Sequence, residues 1–142
     1  MYTLPDKEVR KRILEEAKTI AVVGLSANPE RTSHMIAKAL QQNGYRIIPV
    51  NPMLTEPVLG EQPYASLEDI PEAVDIVDVF RRSEYTPEIA KQAVKIKAKV
   101  LWLQEGVYNE EAYEYASKHG LTVIMDHCIK VDHALLVKKG AQ

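Results

Sequence analysis

The chain has 142 residues, 46% of them hydrophobic and 27% charged, which predicts one ordinary globular domain over residues 1–142. A net charge of -2 argues against broad binding of nucleic acid, and no apolar run reaches the length of a membrane span. A single cysteine, Cys128, excludes an internal disulfide framework, and the N-terminal stretch MYTLPDKEVRKRILEEAKTI carries charges throughout, unlike a signal peptide, so the expected location is the cytoplasm.

Helix-like and strand-like segments alternate along the chain. Residues 6–17 predict a helix with Val9, Ile13, Leu14 and Ala17 on one face and Pro5 near its start. Residues 19–23 predict a buried strand that ends at Gly24, and residues 33–43 a helix with Ile36, Ala39 and Leu40 facing inward, stopped by Gly44. Residues 46–50 predict a second strand. The proline-rich stretch 51–72 predicts loops, with one short strand near Pro63 and Tyr64 and one helical turn around residues 67–70. The run DIVDVF, residues 75–80, predicts a third strand. Thr86-Pro87-Glu88 predicts a helix start, with Thr86 as the cap and Pro87 in the first position. A strand over 100–103, a helix opened by Asn109, a strand over 121–125 and a helix over 129–138 complete the series.

Strands alternating with helices of this length predict an α/β fold, a Rossmann-like, doubly wound and mostly parallel five-stranded sheet flanked by helices. Ligands in such sheets bind beyond the carboxyl ends of the strands. The stretches that carry the site are therefore residues 24–33, 50–53, 80–83 and 104–108.

The first of these, in IAVVGLSANPERTSHMIAKAL, is informative. Gly24 permits a turn that a Cβ would obstruct. Ser26 and Ser33 offer hydroxyls, Ser33 in a position to cap the following helix. Free amides and the positive end of that helix make a seat for phosphate, to which Arg31 adds a charge. The three-glycine dinucleotide fingerprint is absent, since Ser26 stands where its second glycine would be. The second strand ends in Pro49-Val50-Asn51-Pro52, with no acid for a ribose, which weighs against a nicotinamide cofactor.

Other residues have a structural and a functional reading. Asp78, inside an apolar strand, is expected to tie down a neighbouring loop through backbone N–H groups. Of Arg81 and Arg82, at most one is expected to point inward. Trp102 is expected in the core, and Gln104 either orients a ligand or caps the loop after it. His34, His119, His127 and His133 lack the spacing of a metal set. Cys128 reads first as a small, half-buried thiol, with a mixed disulfide to a thiol ligand as the functional alternative.

Five segments in order, IAVVGLSANPERTSHMIAKAL, RIIPVNP, DIVDVFRR, KVLWLQEGVYNEEA and GLTVIMDHCIKVDH, resemble the stand-alone coenzyme A-binding domain proteins. These are similar to the CoA-binding domain of the succinyl-CoA synthetase alpha subunit and of related acyl-CoA ligases. The resemblance spans residues 10–136. It implies CoA or acyl-CoA across the carboxyl ends of the strands. It places Gly24, Leu25 and Ser26 near the pantetheine and phosphates, and Ser33 at the helix start. Val50, Asn51 and Pro52 would lie on the nucleotide side, and Val79, Phe80, Arg81 and Arg82 along the wall. Two positions depart from the family pattern: Met53 stands where many members have lysine, and His127 where many have arginine.

The expected function is CoA or acyl-CoA binding without complete catalytic machinery, since the ligases use further domains. No catalytic residue and no metal is assigned. A homo-oligomer or a partner subunit is compatible with this reading. An NAD(P)-binding redox protein using the same cleft is the alternative.

Overall fold

The computed structural model describes residues 1–137. Five strands form one sheet: β1 (Thr19–Val23), β2 (Arg46–Val50), β3 (Ile76–Val79), β4 (Val100–Leu103) and β5 (Thr122–Ile124). Every neighbouring pair is parallel, in the order β2-β1-β3-β4-β5. Parallel neighbours need crossovers, and the helices supply most of them. These are α1 (Lys7–Glu16), α2 (Thr32–Gln42), α3 (Thr86–Lys95), α4 (Glu110–Lys118) and α5 (Ile129–Leu136). The last residue of the helix expected over 129–138, Lys138, lies outside the described residues.

Side chains alternate along each strand, so the sheet feeds two cores. Ile20, Val22, Ile76 and Trp102 pack on one face with Leu14 of α1, Leu40 of α2 and Ile129 of α5. Ala21, Val77, Val79 and Leu101 pack on the other with Ile89 and Ala93 of α3 and Ala112 and Ala116 of α4. Each large aliphatic side chain so buried contributes roughly 1.5–3 kcal/mol. Helices on both faces of a parallel sheet make the fold Rossmann-like and doubly wound. Among the described residues, no helix is long and apolar enough to cross a membrane.

The proline-rich stretch crosses from β2 to β3 with little regular structure. Pro49 is tolerated because β2 is an edge strand. The short strand expected near Tyr64 is a single bridge to Val50, with Asn51 N donating to Tyr64 O at 2.9 Å. The expected helical turn is a 3-10 turn, Leu67–Asp69.

Two local expectations are corrected. Thr86 does not cap α3. A 3-10 turn, Ser83–Tyr85, runs directly into the helix, Tyr85 occupies the cap position, and the Thr86 hydroxyl donates to Ser83 O at 2.7 Å. Asp78 does not tie down a loop. It is fully buried, flanked in register by Val22 and Trp102, and neither carboxyl oxygen has a hydrogen-bond partner among the described residues. Burial alone pushes its carboxyl well above the usual aspartate range, which favours the neutral form.

Candidate functional site

The strand order reverses between β1 and β3. The chain leaves β1 toward β2 on one side and returns to β3 on the other, which opens a crevice at the carboxyl ends. Gly24 sits at this point with φ +89°, and a Cβ there would lie 2.5 Å from Phe80 O. The loops after β1 and β3 can touch only because position 24 has no side chain. Gly24 N donates to Val50 O and Phe80 N to Val23 O, both at 2.8 Å, so three strand ends are laced together.

The loop after β1 is ordered by its own polar groups. Ser26 N donates to Ser33 Oγ and Asn28 N to Ser26 Oγ, each at 3.0 Å. His34 Nδ1 lies 2.9 Å from Ser26 O; a carbonyl only accepts, so this nitrogen carries the proton. Arg31 occupies the cap position of α2 in an extended conformation, with no side-chain cap bond. Met35 N, bonded to Arg31 O at 3.1 Å, is the first amide to find its helical acceptor. The amides of Thr32, Ser33 and His34 precede it, in the turn where a helix has no internal acceptors. By contrast, Asp6 caps α1 and Asn109 caps α4 through their side chains.

A cleft of about 510 Å³ runs from this helix start across the sheet edge. Thr32 and Ile36 form one wall, Phe80, Arg81 and Arg82 another, and the loop 104–107 with Cys128 the third. The volume lies within the range usual for small-molecule sites. A hollow of about 170 Å³ at the opposite sheet edge, among Ile13, Ala17, Asp75 and Lys99, is too small for a nucleotide coenzyme.

Both arginines line the cleft. Their guanidinium carbons lie 4.6 Å (Arg81) and 5.9 Å (Arg82) from the Tyr85 ring centre. On the third wall, Gln104 Oε1 accepts from Ile129 N at 3.1 Å and so satisfies the start of α5. Trp102 is fully buried and donates through Nε1 to His127 O at 2.8 Å. Beneath it, Arg10 Nε donates to Asp132 Oδ2 at 2.9 Å, and His127 Nε2 lies 3.2 Å from Asp132 Oδ1. That buried chain joins α1 to α5 and fixes the backbone beside Cys128, which is half-buried at the cap position of α5.

The family model described as CoA binding domain matches residues 18–134. The chain belongs to this family. It is 53% identical over 131 residues to the uncharacterized protein YneT of Bacillus subtilis strain 168, covering 92% of this chain and 96% of that one. It is 31% identical over 134 residues to the ADP-forming acetate–CoA ligase II of Archaeoglobus fulgidus, covering 86% of this chain but 19% of the ligase. Among solved structures, a hypothetical protein from Pyrococcus horikoshii OT3 superposes with a TM-score of 0.90 at 38% identity, covering 97% of this chain and 99% of that one.

Seen in this CoA binding domain, the residues singled out from sequence divide by position. Phe80, Arg81 and Arg82 line the cleft. Gly24 allows the two loops to meet, and Ser26 and Ser33 order the first loop. Leu25, Val50 and Val79 are buried in the core and do not line the cleft. Asn51 joins two loops, with Nδ2 donating to Leu25 O at 3.0 Å and Oδ1 accepting from Met53 N at 2.9 Å. Arg31 and Pro52 are exposed on the loops after β1 and β2. Sequence reasoning covered Thr32 only within the stretch 24–33 and read Ile36 only as a core residue. Their signal was the spacing of four that places both on one side of α2, once the helix starts at Thr32.

Proposed function

We propose that this CoA binding domain protein holds coenzyme A or an acyl-CoA in the cleft, as a one-domain cytoplasmic carrier or sensor without catalytic machinery of its own. One observation carries the reading: the uncapped first turn of α2 and the Arg81/Arg82 pair converge on one crevice beside apolar Ile36, Phe80 and Val107. Coenzyme A is a pyrophosphate and a 3′-phosphate joined to a long pantetheine arm. Unpaired amides at a helix start and guanidiniums suit the phosphates. The apolar wall suits the arm. The acetate–CoA ligase of Archaeoglobus fulgidus is a much longer protein, of which this chain covers 19%.

A nicotinamide dinucleotide is the competing ligand for this fold. Against it, β2 ends on Val50 and Asn51, where a ribose-binding acid usually stands, and both ends of the Asn51 carboxamide are held within the protein.

Titration calorimetry with CoA, acetyl-CoA and NAD(H) tests the reading. Heat with the CoA species is expected; heat with NAD(H) alone would overturn it. A charge at Ser33 would disrupt the loop, because that hydroxyl is buried on Ser26 N. Thr32 is exposed, so Thr32→Glu is the cleaner variant. A carboxylate in the first turn favours the helix but repels phosphate. It should weaken CoA more than tenfold, a cost above ~1.4 kcal/mol, with no loss of melting temperature. Unchanged affinity would move the phosphate seat away from α2.

A further inference from the structure

We propose that Tyr85 is the positioning residue of this cleft, its ring holding the guanidiniums of Arg81 and Arg82 in place for the phosphates; this rests on the CoA reading above. Both guanidinium carbons lie within cation–π reach of the same ring, at 4.6 and 5.9 Å from its centre. Tyr85 is 41% exposed and belongs to neither core cluster, so burial does not account for it.

The ring stands on a fixed base. Tyr85 N donates to Arg82 O at 3.0 Å. Ser83 O accepts from Thr86 Oγ1 and Asn109 Nδ2, and Ser83 Oγ accepts from Tyr108 N at 3.0 Å. The turn after β3 is thereby tied to the loop after β4. Free arginine side chains have much rotamer freedom to lose on binding.

The choice of partner matters chemically. Arg46 is held by Glu61 and Glu72, and Arg10 by Asp132. A carboxylate fixes a guanidinium and also cancels its charge. Among the described residues, neither Arg81 nor Arg82 has a carboxylate within ion-pair distance. The π face of Tyr85 orients the pair, offsets part of their mutual repulsion and leaves both charges available to an anion.

Tyr85→Leu and Tyr85→Phe separate the ring from the hydroxyl. Phenylalanine keeps the π face, so its CoA affinity should stay within about twofold of wild type, whereas leucine should lose roughly five- to tenfold. The leucine loss should vanish for pantetheine, which has no phosphate. It should also vanish in an Arg81→Ala/Arg82→Ala background, where nothing remains to position. Without any ligand, the Arg81 side-chain resonances should show ring-current shifts in wild type and Tyr85→Phe that disappear in Tyr85→Leu. Equal CoA affinity for Tyr85→Leu and wild type would overturn the proposal, as would a loss that persists for pantetheine or in the double-arginine variant. A wild-type protein that binds no CoA would overturn the coenzyme reading instead, and the ring-current comparison would then decide whether Tyr85 holds the pair.

Discussion

Gly24→Ala should destabilise the protein by about 2–5 kcal/mol and abolish coenzyme binding. Two effects add. Gly24 has φ +89°, where an L side chain costs roughly 1–2 kcal/mol. The new Cβ would also lie 2.5 Å from Phe80 O and 3.1 Å from Phe80 C, backbone atoms that cannot swing aside. Relief means forcing apart the loops after β1 and β3. The bonds from Gly24 N to Val50 O and Phe80 N to Val23 O stand in the way. Gly44→Ala is the control, since its φ is +101° but nothing lies within 4 Å of the added atom. It should show the conformational strain alone. Urea unfolding of the two variants separates the terms. Equal losses would contradict the close approach at the crossover between β1 and β3.

Asp78→Val should stabilise the protein by about 1–3 kcal/mol below about pH 4, the cost of a buried neutral polar group without a partner, and by more at neutral pH. Valine also suits a strand whose in-register neighbours on this face are Val22 and Trp102. The gain should depend on pH in a defined sense. Burial holds the Asp78 carboxyl well above its ordinary value near 3.8 in the folded state. Above that ordinary value the unfolded chain has released the proton while the folded chain still holds it. The folded state then binds more protons, and its stability falls as pH rises, by up to ~1.4 kcal/mol per pH unit. The penalty is absent below the ordinary value, grows through the window up to the raised value, and is constant beyond it. The stability gap between variant and wild type should therefore widen as pH rises from about 4. Asp78→Asn keeps a polar group but cannot ionise, so it should lose the pH slope and recover less stability. A gap that narrows with rising pH would mean that the carboxylate is paired in solution.

The strands were the most legible part of the chain. β1, β2 and β4 begin and end where the sequence places them, because each is a short, largely apolar run. The parallel sheet and its two-faced core follow from alternation and crossover rules applied to those runs, whereas the strand order emerges only in the structure. Helix starts were less legible. Thr86 has the chemistry of a cap, but the 3-10 turn before it already supplies the geometry. Ser33 likewise turns its hydroxyl back to Ser26 N, which leaves α2 uncapped.

The site was legible as a location more than as a set of contacts. Phe80, Arg81 and Arg82 could be named because they follow a strand at the carboxyl edge. β3 ends at Val79, so both arginines lie beyond the strand, and a shared aromatic ring gathers them. The Arg10–Asp132 pair spans 122 positions, and no local pattern announces that a charged residue on α1 is buried. Asp78 shows the same limit from the other side, since only the assembled sheet reveals that it has no partner.

A crystal structure of the protein with coenzyme A tests the central claim most directly. The pyrophosphate should lie against the first-turn amides of α2 and within reach of Arg81 and Arg82, with the pantetheine arm running past Phe80 and Ile36 toward Cys128. Coenzyme density lodged at the opposite edge of the sheet, or a cleft that admits NAD and stays closed to CoA, would contradict it.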